Sequence, residues 1–172
     1  MGWSLPVPSV ERMTVRGLPR YTADDTFDAG GELVRLPGTS TFRARYEGSF
    51  VRHTWVDGDG DGRGGYWIAE YPDGKVGYFG ADSTGQVVPA ALTQGSDGVF
   101  AWHLVEMVDP LGHAIHYRYQ KWDGRPYLTS INWVRTGTSE WRYEARLIYE
   151  GREDELSDGR SGVEVRLTRR LA

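Results

Sequence analysis

Apolar and polar side chains alternate with a period of two along much of the chain after residue 40. In residues 141–150, aromatic and aliphatic side chains occupy the odd positions and mostly charged side chains the even positions. The same alternation recurs in residues 41–46, 115–119 and 163–168. One apolar and one polar face are typical of antiparallel strands whose sheet has one face in water. No segment combines a helical apolar stripe with capping residues at both ends, so the pattern predicts an all-β protein built from antiparallel sheet.

The first 40 residues follow no such period. Four prolines withdraw backbone donors there, and Gly30-Gly31 marks a turn. We therefore divide the chain into an irregular, Pro/Gly-rich lead-in of extended segments and turns over residues 1–40 and an antiparallel β region over residues 41–172. Within the β region, Val99–Val108 is almost continuously apolar, which fits a buried strand and a buried helix alike.

Two connections in the β region can be predicted from their residues. Asp73-Gly74 lies between two strand-like runs and favours a two-residue type I′ turn, in which both residues have positive φ. Residues 151–161 are polar and bounded by glycines, which predicts a loop between antiparallel strands at 141–150 and 163–168. We expect this strand pair to be held by four buried side chains, Trp141, Tyr143, Leu147 and Val165.

Composition and charge narrow the possible functions. With 172 residues, 13% of them aromatic, and 23 glycines, the chain suits one domain of aromatic strands and tight turns. The net charge is −4 and basic residues are interspersed with acidic ones, so no basic stripe offers a surface for nucleic acid. The lack of cysteine excludes disulfides, thiol catalysis and cysteine-ligated zinc. No apolar run reaches the ~20 residues of a membrane span, and the first residues do not resemble a signal peptide.

Short motifs that follow one another along the chain carry a family resemblance. Residues 2–12 are GWSLPVPSVER, residues 17–21 GLPRY and residues 25–27 DTF; the other stretches are GELV at 31–34, YW at 66–67, DG at 73–74, YFG at 78–80 and VEVRLTRR at 163–170. Together they resemble the SpvB-type domain in the B component of insecticidal toxin complexes. Residues 109–119 and 127–131 also resemble one Rhs/YD repeat, placed at about 102–133.

The resemblance implies a structural role. In such complexes the B component, joined to a C component, forms a hollow β-sheet shell around a toxic enzyme and docks onto the pore-forming A component. A chain of this kind would be a non-catalytic, secreted wall segment. Its partners would be further strands of its own polypeptide, the C component or the A component. Strands that flank the motifs in whole members are absent here, so we interpret residues 1–172 as a partial domain whose exposed sheet edges favour self-association or completion by other strands.

The sequence offers one candidate metal site. Asp57, Asp59 and Asp61 alternate with glycines, and carboxylates spaced in this way on a turned backbone can converge on calcium. A complete calcium loop has a bidentate glutamate at its twelfth position, which here is Ile68. The competing interpretation is a charged hairpin tip. Calcium binding would favour the alternative function, a small β-rich binding module that is calcium-assisted and carbohydrate-directed.

Other candidate sites are weaker. His113 and His116 would point to opposite faces of a strand rather than share a metal ion. Glu153-Asp154-Glu155 resembles the Glu-x-Glu of ADP-ribosyltransferases, but the chain lacks a Ser-Thr-Ser strand and the acidic run lies in a predicted loop. No nucleophile elbow or phosphate-binding loop is present, so we predict no enzyme activity, catalytic residue or cofactor. Seven aromatic residues are assigned to the core rather than to a sugar-stacking platform: Trp55, Tyr66, Trp67, Trp102, Trp122, Trp133 and Trp141.

Overall fold

The structure is a computed structural model that describes residue 5 and residues 7–58, 64–136 and 140–172. In these residues the chain forms β-strands, with one turn of 3-10 helix at Pro89–Ala91. The strands are β1 (Ser9–Arg12), β2 (Phe27–Asp28), β3 (Glu32–Arg35), β4 (Thr41–Ala44), β5 (Arg52–Val56), β6 (Tyr66–Glu70), β7 (Val76–Phe79), β8 (Leu92–Gly95), β9 (Gly98–Val108), β10 (Ala114–Trp122), β11 (Arg125–Thr136), β12 (Glu140–Arg146), β13 (Tyr149–Asp158) and β14 (Val165–Leu171). The predicted all-β, antiparallel class is confirmed, and the ambiguous segment Val99–Val108 lies in strand β9.

Eight of these strands close into a barrel. Strands β1 to β7 pair in sequence order, β7 pairs with β9, and β9 pairs back with β1. The length of β9 makes this closure possible, because its first half borders β8 and β1 while its second half borders β7 and β10. Closure removes the unpaired edges that an open eight-stranded sheet would present.

The Pro/Gly-rich lead-in supplies three of the barrel strands. The extended segments expected there are β1, β2 and β3, and turns connect them. In the turn after β2, Gly30 has a φ of 79° and donates its N–H to the Asp28 side chain at 3.0 Å. The turn thus brings β3 back alongside β2, and residues without any sequence period become part of the barrel wall.

Aromatic side chains fill the barrel. Phe27, Phe42, Trp67 and Trp102 are each at most 6% exposed, and Trp55 packs against them. The Trp67 ring centroid lies 4.9 Å from those of both Phe27 and Phe42, and the Trp102 centroid lies 5.3 Å from that of Trp55. Edge-to-face contacts of this kind add about 0.5–1.5 kcal/mol per pair beyond burial. The barrel interior is therefore a packed core.

Beyond the barrel, β10, β11 and β12 form an antiparallel extension, and β13 and β14 form a separate hairpin. The predicted pairing of residues 141–150 with 163–168 is wrong, because β12 pairs with β11 while β13 pairs with β14. The loop predicted at 151–161 is mostly strand, since β13 extends to Asp158. Most side chains on both faces of β13 are exposed. The strand consequently lacks the apolar alternation by which it could have been recognised.

Burial of the predicted strand pair is only partly as expected. Val165 is 7% exposed, but Tyr143 is 48% exposed, while Trp141 and Leu147 are half-buried. The Tyr143 ring stacks on Trp133 with centroids 5.7 Å apart. Tyr143 is exposed because, in the described part of the chain, no second layer covers this face of the sheet. The prediction that Tyr143 is a core residue is therefore wrong.

Asp73-Gly74 forms the turn between β6 and β7, but its type differs from the prediction. Gly74 has a φ of 82°, whereas Asp73 is not among the residues with positive φ, as type I′ would require. The N–H of Gly74 donates to the Tyr71 carbonyl at 2.9 Å, and the N–H of Tyr71 donates to the Lys75 carbonyl at 2.9 Å. These bonds enclose a three-residue loop that ends in a left-handed glycine.

Candidate functional site

A buried ion pair joins two of the family motifs. Arg12, at the end of β1, donates from Nη1 to the Asp25 carboxylate at 2.8 Å and to the Thr22 carbonyl at 3.0 Å. Its Nε donates to the Val99 carbonyl on β9 at 2.8 Å. The side chain of Arg12 is 0% exposed and that of Asp25 10%. Arg12 therefore ties β1 both to the segment that precedes β2 and to β9, beside the strand contact that closes the barrel.

Three aromatic rings surround the guanidinium. The Cζ atom of Arg12 lies 5.2 Å from the ring centroid of Tyr21, 5.1 Å from that of Phe27 and 5.5 Å from that of Trp102. Burial lowers the pKa of Arg12, and the neighbouring Asp25 carboxylate opposes that shift. Cation–π contacts at such distances contribute about 2 kcal/mol each when desolvated. The guanidinium therefore remains charged inside the core.

Asp25 also shapes the turn that precedes β2. Its carboxylate accepts the N–H of Tyr21 at 2.8 Å and that of Arg20 at 3.1 Å. Tyr21 has a φ of 58°, a left-handed conformation that costs free energy in a residue with a Cβ. The Tyr21 hydroxyl in turn donates to the Ser161 carbonyl, which tethers the β13–β14 hairpin. The GWSLPVPSVER, GLPRY and DTF motifs thus meet through Arg12, Tyr21 and Asp25. We call this group the Arg12–Asp25 anchor.

Gly80 in the YFG motif is explained by crowding. It has a φ of 82°, and a Cβ on it would lie 2.6 Å from Trp102 Cδ1 and 2.8 Å from Leu92 Cδ2. Only glycine fits a left-handed position at this distance from the core. Arg12, Asp25 and Gly80 of the motifs therefore have structural roles, and the sequence alone offered no sign that Arg12 and Asp25 would meet.

The calcium candidate can be located only in part. Asp57 follows the end of β5, whereas Asp59 and Asp61 lie outside the described residues. The position-twelve residue Ile68 is in strand β6, paired with Thr54 and Tyr78. Among the described residues no group of three or more histidines and carboxylates is placed to hold a metal ion. The calcium site remains a prediction about the tip of the β5–β6 hairpin.

Calcium is expected to leave the thermal stability of the protein unchanged beyond the effect of ionic strength. The reason is the isoleucine at the twelfth position, where a calcium loop needs a bidentate carboxylate. The check is a thermal melt in calcium, in magnesium and in chelator, with Asp59→Ala as the control variant. A melting temperature that rises with calcium alone, and no longer rises in Asp59→Ala, would reverse this expectation.

The remaining candidates are spread over the molecule. His113 Nδ1 lies 2.9 Å from an Asp109 carboxylate oxygen in the turn before β10, and His116 is half-buried within that strand. Glu153-Asp154-Glu155 belongs to strand β13 and not to a loop, which corrects that prediction. Of the aromatic residues assigned to the core, Trp67 and Trp102 are 0% exposed, but Trp133 is 36% exposed.

Two large cavities lie among the described residues. One, of about 830 Å³, lies between the β13–β14 hairpin and strands β9 to β11, and four arginines line it: Arg125, Arg152, Arg169 and Arg170. The other, of about 630 Å³, lies at one end of the barrel, between the β2–β3, β4–β5 and β6–β7 connections. His53 lines the second cavity, is 7% exposed, and has an Nδ1 without a hydrogen-bond partner among the described residues. Burial lowers the pKa of His53 to about 4.

Stability is expected to fall as the pH is lowered from about 6.5 to about 4. His53 has a pKa of about 6.5 in the unfolded chain and about 4 in the folded chain. Between these values only the unfolded chain binds a proton at His53, which favours unfolding. The contribution is complete above pH 6.5 and amounts to up to about 3 kcal/mol. Urea unfolding across this range measures the slope, and His53→Gln is expected to flatten it. Part of the slope will persist, because burial also lowers the pKa of His103 to about 4; equal slopes in both proteins would contradict the assignment to His53.

Comparison with known proteins places the fold. The structure is similar to the N-terminal domain of the effector protein SpvB from Salmonella typhimurium strain LT2, with a TM-score of 0.83 and 19% identity. The match covers 98% of this chain and 74% of that domain. The TcdB2–TccC3–Cdc42 structure matches with a TM-score of 0.80 and 21% identity over 99% of this chain and 11% of that one. The Photorhabdus luminescens Tc holotoxin pore matches with a TM-score of 0.83 and 20% identity over the same shares, 99% and 11%.

The chain thus spans about three quarters of the first of these structures and about a tenth of the toxin-complex chains. No curated protein matches its sequence. Across the described residues, none of the structure's helical segments has the length and apolarity to cross a membrane. The family model of the Salmonella virulence plasmid 65kDa B protein, SpvB, matches residues 1–149. Together with the ordered motifs and the shared fold, this match shows that the chain belongs to the SpvB family.

Proposed function

We propose that the chain is a non-catalytic wall segment of a secreted toxin-complex B component and contributes to the β-sheet shell that encloses a toxic effector. The observation that carries the proposal is the overlap of 99% of this chain with TcdB2–TccC3 structures. The packed interior supports it, because Phe27, Phe42, Trp67 and Trp102 fill the barrel where a binding protein would keep a cavity.

The partners in this proposal are strands of the same parent polypeptide, a C component and an A component. The domain described here is then one part of a longer wall, in which β10 and β11 form the single YD-like repeat at about 102–133. The Arg12–Asp25 anchor supports this role, since the family motifs converge on barrel closure. A calcium-assisted, carbohydrate-directed module is the weaker candidate, because a stacking platform would have to be built from Trp133 and Tyr143 without the buried tryptophans.

A chimera tests the proposed role directly. Residues 1–172 replace the matching segment of TcdB2, and the chimera is co-expressed with TccC3. We expect the two proteins to co-purify as one complex and to protect the C-terminal region of TccC3 from added protease. The matched control is the same chimera carrying Asp25→Ala, which should fail to assemble because its anchor is broken. A folded chimera that leaves TccC3 unprotected would contradict the shell role.

A further inference from the structure

Strand β12 forms one end of the twelve-stranded sheet. It pairs with β11 from Ser130↔Arg146 to Thr136↔Glu140, and within the described residues it pairs with no other strand. Six of its seven residues are exposed. The side of β12 that faces away from β11 therefore presents backbone N–H and C=O groups to solvent, an arrangement that readily accepts another strand.

The sequence of β12 is complementary to itself when two copies run antiparallel. With Tyr143 of one copy opposite Tyr143 of the other, Arg142 lies opposite Glu144 and Glu140 lies opposite Arg146. Directly opposed residues of an antiparallel pair project on the same face, so each of these pairs brings opposite charges together. Trp141 lies opposite Ala145, which sets a large side chain beside a small one.

Neighbouring registers lack this complementarity. Only every second residue of a strand directs its N–H and C=O groups towards a given side, so the second copy can shift along β12 only in steps of two residues. One such step opposes Glu140 to Glu144 and Arg142 to itself, and the step in the other direction opposes Arg142 to Arg146 and Glu144 to itself. Like charges directly opposite each other destabilise a sheet. The register centred on Tyr143 is thus favoured over both neighbours and overlaps all seven residues of the strand.

The exposed aromatic row ends at the same strand. Ile115, Trp133 and Tyr143 are register partners across β10, β11 and β12, and they are 38%, 36% and 48% exposed. In the register centred on Tyr143, the two tyrosines meet and the row continues into the second copy. An exposed aromatic and aliphatic row of this kind has the composition of a protein interface.

We infer that β12 pairs with β12 of a second copy of this chain, in the antiparallel register centred on Tyr143, and joins the two sheets into one. The interface is isologous, as a two-fold axis through Tyr143 requires. It goes beyond the shell role proposed above and does not depend on it.

The charge pairs allow a swap experiment on the whole chain. Sedimentation equilibrium of the unaltered protein should show a monomer–dimer equilibrium across a hundredfold dilution. Arg142→Glu and Glu144→Arg should each weaken self-association by about tenfold or more, because each places like charges opposite one another at both central pairs. An equimolar mixture of the two variants should recover the dimer, since Glu at 142 then meets Arg at 144 in the other copy. Near-UV circular dichroism of each variant confirms that the fold is unchanged.

The register is tested by cross-linking, because the chain has no cysteine of its own. Tyr143→Cys should oxidise to a disulfide-linked dimer, since the two residues are directly opposed. Ala145→Cys is the matched control and should not cross-link, because its two copies would lie about 13 Å apart along the strands. A monomer at every concentration, a mixture of charge variants that stays monomeric, or preferential cross-linking through Ala145→Cys would each overturn the inference and would leave the proposed shell role standing.

Discussion

Replacing Asp25 by alanine is expected to destabilise the protein by about 3–5 kcal/mol, the usual cost of leaving a buried charge without its partner. Arg12 would keep its hydrogen bonds to the carbonyls of Thr22 and Val99 but would lose its ion pair with the Asp25 carboxylate. The N–H groups of Arg20 and Tyr21 would lose their acceptor as well. Urea unfolding followed by tryptophan fluorescence measures the change, and loss of the left-handed turn at Tyr21 should make the β13–β14 hairpin more accessible to protease.

Two further variants test whether the loss in Asp25→Ala comes from leaving the buried charge of Arg12 without its carboxylate. Glu70→Ala removes the exposed pair with Arg52, whose atoms are 2.6 Å apart, and should cost less than about 1 kcal/mol despite that short distance. Adding Arg12→Met to Asp25→Ala removes the uncompensated charge and should recover part of the lost stability. If Asp25→Ala cost no more than Glu70→Ala, the Arg12–Asp25 anchor would not be what holds β1 against β9.

Replacing Trp102 by alanine is expected to cost about 3–5 kcal/mol, as large-to-small changes at fully buried aromatic positions do. Trp102 is 0% exposed and contacts the rings of Phe27, Trp55 and Trp67 with centroids at most 6.3 Å apart. The cavity would open where β1 and β9 close the barrel. The matched control is Trp133→Ala, which removes the same side chain from a position that is 36% exposed and should cost about 1 kcal/mol.

A milder pair of substitutions isolates the indole hydrogen bond. Trp102 Nε1 donates to the Gly65 carbonyl at 3.0 Å, whereas Trp67 Nε1 has no partner among the described residues. Both tryptophans are 0% exposed, so phenylalanine at either position removes a similar volume. Trp102→Phe should therefore cost about 0.5–1.5 kcal/mol more than Trp67→Phe, the worth of one hydrogen bond. Equal losses in denaturant unfolding would show that the Gly65 contact contributes nothing.

Sequence alternation predicted strands where apolar and polar residues alternate and failed where they do not. The alternating residues 41–46, 115–119 and 141–146 coincide with β4, β10 and β12, whereas β13 has no apolar alternation and was mistaken for a loop. The same limit explains Tyr143. Alternation determines which side chains share a face, but the presence of a second layer over that face depends on strands remote in sequence. Turn type failed for a related reason, because the loop Pro72–Gly74 is set by the hydrogen bonds of Tyr71.

The amino-acid sequence by itself determined the class and the family of this protein. A period of two requires strands, and the ordered motifs from GWSL to TRR were enough to assign the SpvB family without coordinates. Both are local properties of the chain, because strand alternation and motif order do not depend on what lies across the fold. The partners of each strand were not local. Closure of β1 onto β9 and the burial of Arg12 against Asp25 arise from contacts between distant segments, and the place of β12 at the end of the described sheet also depends on the whole strand order. Only the tertiary structure could decide these contacts, because the free energy of folding depends on which surfaces come together. Arg12 lies 13 positions from Asp25 and 87 positions from Val99, and nothing in the sequence indicates that they meet.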